Sequence, residues 1–415
     1  MPRRRLLRLV ALFSPTLAIV AAGAWFATRP EAAPPATGKL VVLAVFDTLR
    51  PDQIPSLPST RRLPDVPAGN PSSPGLATAV TGVSPATHGI VGDSWFDRGK
   101  KKLVAAHSSD KPYDRVPANP AGRGRAADGG GFAPDRVVAP TIPDAIRAAG
   151  GKVVSLATTD RAAILLGGKQ PAGCYWFDPD AGGFATSAYY RDRLHTWVEA
   201  ANAARTADPV DTRVRALAKA AIETEKLGRS GQTDLLCLGF SGDANPAATI
   251  GELVANLETS HPGRFALVVS AARAGTDPPA SAAEFTALGE VLDAAFGQRD
   301  VAPGRWVERV ELPWVYLNRD LCRSTGVPVA EVANVAAAWC RGRESAVGAF
   351  TKAEWESSPD PVAKRVKRTA FPDRVGDVFV AAKEFAEEGS VPVLVVGELP
   401  GVWNSPAEVS PRTRE

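Results

Sequence analysis

The apolar positions of this chain fall into short runs that stop abruptly at polar residues. Lys39 to Phe46 (KLVVLAVF) is apolar at almost every position and ends at Asp47. That is the pattern of a strand buried on both faces, which delivers the next residue to a site at its C-terminal edge. Lys152 to Ala157 repeats it and runs into Thr158-Thr159-Asp160-Arg161. Asp234 to Phe240 (DLLCLGF) ends at Ser241-Gly242-Asp243, and Arg264 to Ser270 (RFALVVS) and Val391 to Val396 complete the set. Between these runs, Thr141 to Ala149 reads as a helix ended by Gly150-Gly151, as do Asp211 to Leu227 and Thr249 to Glu258. Strands alternating with helices predict an α/β fold: a mostly parallel central sheet with helices on both faces.

Residues 1–37 follow another pattern. Arg3, Arg4, Arg5 and Arg8 precede Leu9 to Ala27, a run of 19 residues broken only by Ser14, Pro15 and Thr16. This is an export segment, either a cleaved signal ending near Ala21 to Ala24 or an uncleaved membrane anchor. Both place the body outside the cytoplasm, periplasmic, secreted or anchored. Glu31 to Gly38 is an Ala/Pro linker. Residues 38–400 then form the α/β domain, with 103–137 as a flexible surface loop rich in Gly and Pro and 401–415 as a polar tail.

With 415 residues, 45% of them hydrophobic, the chain has ample material for a large core. A net charge of +3 gives no argument for nucleic acid, and Lys100-Lys101-Lys102 reads as a solvated loop. Four cysteines, Cys174, Cys237, Cys322 and Cys340, fit no zinc spacing. Cys237 sits in an apolar run as a buried thiol, and a Cys322–Cys340 disulfide stays open.

The most informative segment is Ser72-Ser73-Pro74-Gly75-Leu76-Ala77-Thr78-Ala79-Val80-Thr81-Gly82, followed by Ser84-Pro85-Ala86-Thr87-His88-Gly89 and Asp93. It resembles the nucleophile segment of the alkaline phosphatase superfamily, in the branch of bacterial Thr-nucleophile alkaline phosphatases and type I phosphodiesterase/nucleotide pyrophosphatases. Phe46-Asp47-Thr48-Leu49-Arg50, Thr158 to Leu165, Tyr175-Trp176-Phe177-Asp178, Tyr316-Leu317-Asn318-Arg319 and Gly376-Asp377-Val378 continue the resemblance in order.

The resemblance implies two zinc ions, each with three protein ligands, activating a hydroxyl at a helix N-terminus. Ser72 takes the nucleophile position and Leu76 replaces a His. Asp47 and Asp243 are the remnant metal ligands; Ala247, Ala272 and Arg273 replace others, and the loop Ala386 to Ser390 lacks a final His. The chain has only His88, His107, His195 and His261, none at a ligand position. No zinc cofactor is therefore expected unless this placement is wrong. Asp93 replaces an Asn that donates to phosphate, which a carboxylate cannot do, and Thr159 replaces a Lys. Arg161 keeps the family's Arg. It is free either to grip an anion or to form an ion pair with Asp160 or Asp178. Arg273 has two readings as well, a pair with Asp47 in the emptied half-site or a solvent-facing side chain. Ser72 is a reactive hydroxyl or simply a helix-capping Ser. Trp95 and Trp176 read as packing residues.

Two functions follow. One is a pseudoenzyme that has lost most zinc ligands and binds an anionic or phosphorylated small molecule or another partner. The other is a weakened or altered phosphoric ester hydrolase using Ser72. The N-terminal segment gives either a route to the membrane.

Overall fold

Most positions of the first apolar run are buried because its strand lies inside a sheet, paired along both edges. The computed structural model describes residues 39–57, 60–67, 72–118, 124–241, 245–273, 282–297, 306–382, 385 and 390–397, all within Gly38–Glu415. The expected export segment, the polar tail, Asp243 and Ala386 to Gly389 lie outside the described residues.

In chain order the strands are β1 (Leu40–Phe46), β2 (Thr60–Pro67), β3 (Ser94–Asp97), β4 (Lys102–Ala105), β5 (Ser108–Ser109), β6 (Arg115–Val116), β7 (Gly131–Phe132), β8 (Val153–Ala157), β9 (Gly173–Asp178), β10 (Gly183–Ser187), β11 (Asp234–Phe240), β12 (Phe265–Ala271), β13 (Val307–Glu311), β14 (Trp314–Leu317), β15 (Gly348–Thr351), β16 (Val378–Ala381) and β17 (Ser390–Gly397). Nine of them form one sheet in the order β2-β17-β12-β1-β11-β8-β9-β10-β6. The five from β12 to β9 are parallel, and the pairings outside them are antiparallel. The fold is thus α/β with a mixed sheet whose parallel centre carries four of the five apolar runs; the fifth, Val391 to Val396, is the antiparallel β17.

The period of two along β1 splits its side chains between two core layers. Leu40, Val42, Ala44 and Phe46 join the layer under helices Val210–Thr224 and Pro246–Ser260. Val41, Leu43 and Val45 face the layer that holds helices Ser72–Thr81 and Asp160–Gly167. In that layer Leu76, Val80, Ile164 and Leu165 are buried, each worth ~2 kcal/mol of transfer free energy, which fixes both helices over the sheet.

A second, four-stranded sheet, β13-β14-β16-β15, is split in the same way. Val315, Leu317, Val378 and Val380 pack under helices Leu288–Phe296 and Val329–Cys340. Trp314, Tyr316, Phe379 and Ala381 turn to the main core. Cys322 and Cys340 are buried free thiols in the third cluster, not a disulfide. Burial pushes the Cys340 thiol up to about 12.

The segment expected to be a flexible surface loop, 103–137, is instead tied down at both ends. It contains β5, β6 and β7, and Ser108, Arg115 and Phe132 are buried. Arg115 reaches the buried Asp178 on β9, and Ser187 donates to the Phe132 carbonyl at 2.6 Å. Gly and Pro punctuation marks turns, but tight turns between two-residue strands carry the same composition as a loose loop.

Candidate functional site

The C-terminal ends of β1, β8, β11 and β12 lie side by side, and the residues that follow them meet there. Asp47 follows β1, its N–H donating to the Phe240 carbonyl at 2.7 Å. Thr158 follows β8 and accepts from the Ser241 N–H at 2.9 Å, which ties the ends of β8 and β11 together. Ala272 follows β12, its N–H donating to the Phe46 carbonyl at 2.7 Å.

Ser72 enters over these strand ends because Gly75 permits it. A methyl group on Gly75 would lie 1.6 Å from the Ala272 carbonyl oxygen, so only glycine lets the first turn of the Ser72–Thr81 helix approach the β12 end this closely. The helix is held from behind by His88. Its Nε2 lies 3.1 Å from Thr78 Oγ1, and its Nδ1 accepts from the Ile90 N–H at 3.1 Å. Burial keeps this ring neutral by lowering its pKa to about 4. His88 is therefore a packing residue. Ser72 itself lies in the first helical turn and is buried. Pro71, which precedes it, lies outside the described residues.

Arg161 is placed by the first turn of the opposite helix. Thr159, where the family has Lys, caps that helix by accepting from the Ala162 N–H at 3.4 Å. Asp160 accepts from the Arg161 N–H at 2.6 Å and lies 3.6 Å from His107 Nε2. Burial would raise the Asp160 carboxyl, but the facing His107 and the Arg161 N–H prevail and hold it below its ordinary value.

The Arg161 guanidinium sits between two carboxylates. Its Nη1 is 3.0 Å from Asp93 Oδ2 and its Nη2 is 3.7 Å from Asp47 Oδ1. Asp93 also accepts from the Ser73 N–H at 2.8 Å and the Ser73 hydroxyl at 2.5 Å. The expected partners of Arg161 are thus corrected. Asp178 is engaged by Arg115 and Asp160 takes the backbone N–H, so the guanidinium turns to Asp93 and Asp47.

The pairing of Arg273 with Asp47 is also overturned. No ion pair or side-chain hydrogen bond joins the two among the described residues; only the Arg273 N–H meets the Asp47 carbonyl, at 3.1 Å. Phe46 lies beside Ala271 in the β1–β12 register, so Ala272 faces Asp47 and Arg273 falls one step further. Alternation then turns its side chain away.

Of the sequence-derived site residues, the structure joins Asp47, Asp93 and Arg161, with Ser72 on the adjacent turn. Ala247 lies in the first turn of helix Pro246–Ser260. Ser73 was missed; its only signal is its place next to the nucleophile position, which carries no chemistry without Asp93. The Asp160–His107 pair was missed because its partners lie 53 positions apart in sequence. Trp95 and Trp176 are buried packing residues as expected.

Among the described residues the donor set does not fit a zinc pair. Leu76, Ala247, Ala272 and Arg273 offer no side-chain ligand atom of the expected kind, and Asp47, the ligand position that keeps a carboxylate among the described residues, faces the Arg161 cation. Among the described residues no three His, Cys, Asp or Glu side chains converge in a way that could hold a metal.

A sheet of this order, with a hydroxyl-bearing helix start and an aspartate at the end of its first strand, defines an alkaline-phosphatase-like protein, and the chain belongs to the alkaline phosphatase superfamily. The type I phosphodiesterase / nucleotide pyrophosphatase family profile matches residues 67–242. Alkaline phosphatase PhoV of Synechococcus elongatus is 28% identical over 227 residues, 40% of this chain and 40% of its own length. Alkaline phosphatase PafA of Elizabethkingia meningoseptica is 34% identical over 127 residues, 30% of this chain and 22% of its own. Alkaline phosphatase PhoK of a Sphingomonas species is 24% identical, covering 76% of this chain and 70% of its own. In these alignments the chain spans less than half the length of PhoV and PafA. The crystal structure of wild-type PafA superposes with a TM-score of 0.74 at 20% identity, covering 88% of this chain and 92% of that one, a likeness of fold.

Proposed function

We propose that this chain is a pseudoenzyme of the superfamily, a scaffold on which zinc-dependent phosphoryl chemistry has been replaced by a closed ion-pair cluster. One observation carries the reading: Arg161 lies between Asp93 and Asp47. The resemblance puts an anion-gripping Arg and a metal ligand at two of those positions. Here the Arg and the two carboxylates face each other instead. Two carboxylates around one guanidinium leave a net negative charge, which repels a phosphoryl group. A serine hydroxyl needs a base or a metal to attack, and losing the metal removes several kcal/mol of transition-state stabilisation. No zinc cofactor is part of this reading.

The test is zinc content after incubation with excess zinc, together with turnover of p-nitrophenyl phosphate and bis-p-nitrophenyl phosphate. Zinc near zero per chain and no turnover above that of Ser72→Ala is the expected result. About two zinc ions per chain, with turnover lost in Ser72→Ala, would establish the second reading, a weakened phosphoric ester hydrolase with Ser72 as nucleophile. That reading draws on Ser72 at its helix start and on relatives named alkaline phosphatases.

The proposed setting is extracytoplasmic, periplasmic, secreted or held at the membrane by the N-terminal segment, with a small anion or another protein rather than nucleic acid as partner. Residues 1–37 support it by their basic start and apolar run. Among the described residues no helix is long and apolar enough to cross a membrane. Protease digestion of intact and permeabilised cells checks the location: protection in intact spheroplasts would overturn it.

A further inference from the structure

A cavity of about 870 Å3 opens beside β3, helices Lys352–Ser357 and Pro361–Thr369, and the turn after the latter. None of Asp47, Ser72, Asp93 or Arg161 borders it. Six cationic side chains line it: Arg98, Arg136, Arg319, Lys352, Lys367 and Arg374. Asp97, Glu356 and Asp373 are the lining carboxylates. Two more stand behind the wall. Asp377 takes Arg98 and, at 2.7 Å, Arg319; Asp110 takes Arg136 at 2.8 Å. With both counted, cations still outnumber carboxylates.

The excess lies on particular groups. The Arg374 guanidinium is stacked 5.0 Å from the Trp95 ring and 4.9 Å from the Phe371 ring. Its Nη1 donates to the carbonyls of Gly89 and Arg136, both at 2.7 Å, and no carboxylate pairs with it among the described residues. Burial lowers its pKa to about 10. A partly dehydrated guanidinium with backbone partners alone gains from an anion brought to its free edge. Lys367 has no ion pair among the described residues, and Lys352 meets Glu356 only at 3.8 Å. The wall itself is fixed, because buried Asp377 holds Arg98 and Arg319 together and accepts from the Leu317 N–H at 2.8 Å.

We propose that this cavity is a binding site, separate from the Ser72 cluster, for a small organic anion that carries two or more phosphate or carboxylate charges. Its volume is that of a small-molecule site, and its cations converge from four separate segments of the chain. The proposal stands whether or not Ser72 is catalytic.

Calorimetric titration of the full chain with inorganic pyrophosphate and with citrate tests it. One saturable site is expected for at least one probe, weakening as salt rises. Lys352→Ala/Lys367→Ala, two exposed positions whose loss leaves the fold intact by circular dichroism, should weaken it about tenfold or more. Arg161→Ala should leave it unchanged. Binding of pyrophosphate alone assigns a phosphate-bearing ligand, and binding of citrate alone a polycarboxylate. Absence of saturable binding by either probe, or binding lost in Arg161→Ala and kept in the double Lys variant, would overturn the proposal.

Discussion

Asp93 shows how one atom changes a site. An amide there would donate to a phosphate oxygen; the carboxylate instead accepts from Ser73 and attracts Arg161. Asp93→Asn should release Arg161 and remove the negative charge. Phosphate, measured by competition or calorimetry, should then bind at least several-fold more tightly than to the parent chain; unchanged affinity would mean that Arg161 stays on Asp47. Gly75 is constrained by space rather than charge. Gly75→Ala sets a carbon 1.6 Å from the Ala272 oxygen, so the helix start must move, and urea denaturation should show a loss of about 3 kcal/mol. His88 sets a pH dependence. Its pKa falls from 6.5 to about 4 on folding, so between those values the unfolded chain binds more protons than the native one. Stability therefore rises with pH across that window and is lost as pH falls through it, by about 3 kcal/mol at most from this residue. His261 and His195 are depressed by burial in the same direction. His88→Gln should accordingly flatten the slope rather than abolish it.

Four of the five strands of the parallel centre, β1, β8, β11 and β12, could be read directly because burial on both faces leaves a nearly unbroken apolar run, whereas β9 was not read as a strand. Asp234 to Phe240 matches β11 at both ends, and the run Lys39 to Phe46 differs from β1 by one residue. The helix expected from Thr141 begins one residue later because Thr141 is its cap, accepting from the Asp144 N–H. The second sheet was not visible in this way. β13 is partly exposed with charged residues, and β14 and β16 have only four residues each, too short for a period to register. What joins that sheet to the β3 segment is a buried charge cluster that no local pattern announces: Asp377 binds Arg98 and Arg319, 279 and 58 positions away in sequence. Asp377→Ala would leave two guanidiniums uncompensated and should cost about 3–5 kcal/mol in denaturant unfolding. A cost under about 1 kcal/mol would show that solvent can replace the carboxylate.

For the molecule as a whole, the family was legible because it rests on residue identity: a hydroxyl, a proline and a glycine at fixed spacing, with Leu76, Ala247, Ala272 and Arg273 at positions where the resemblance expects a His or an Asp. Where the remaining charges go was not legible. Arg161 and Arg273 are each close in sequence to a strand end, and only the register of β1 against β12 decides which of them can face Asp47. That choice has a consequence for global stability. A protein that binds zinc only when folded gains RT ln(1 + [Zn]/Kd), about 2.7 kcal/mol at a hundredfold excess over Kd, for each site. Removing two such ions would lower the thermal midpoint of a domain this large by several degrees. If, as proposed, Arg161 between Asp93 and Asp47 takes the place of the metal charge, exhaustive dialysis against a chelator should leave the midpoint where it is, and added zinc should not raise it. Arg161→Ala is the informative companion in the same measurement. It removes the only described cation facing Asp47, so if zinc then stabilises the variant and not the parent chain, the guanidinium is what excludes the metal; if zinc stabilises neither, the missing imidazoles alone account for its loss.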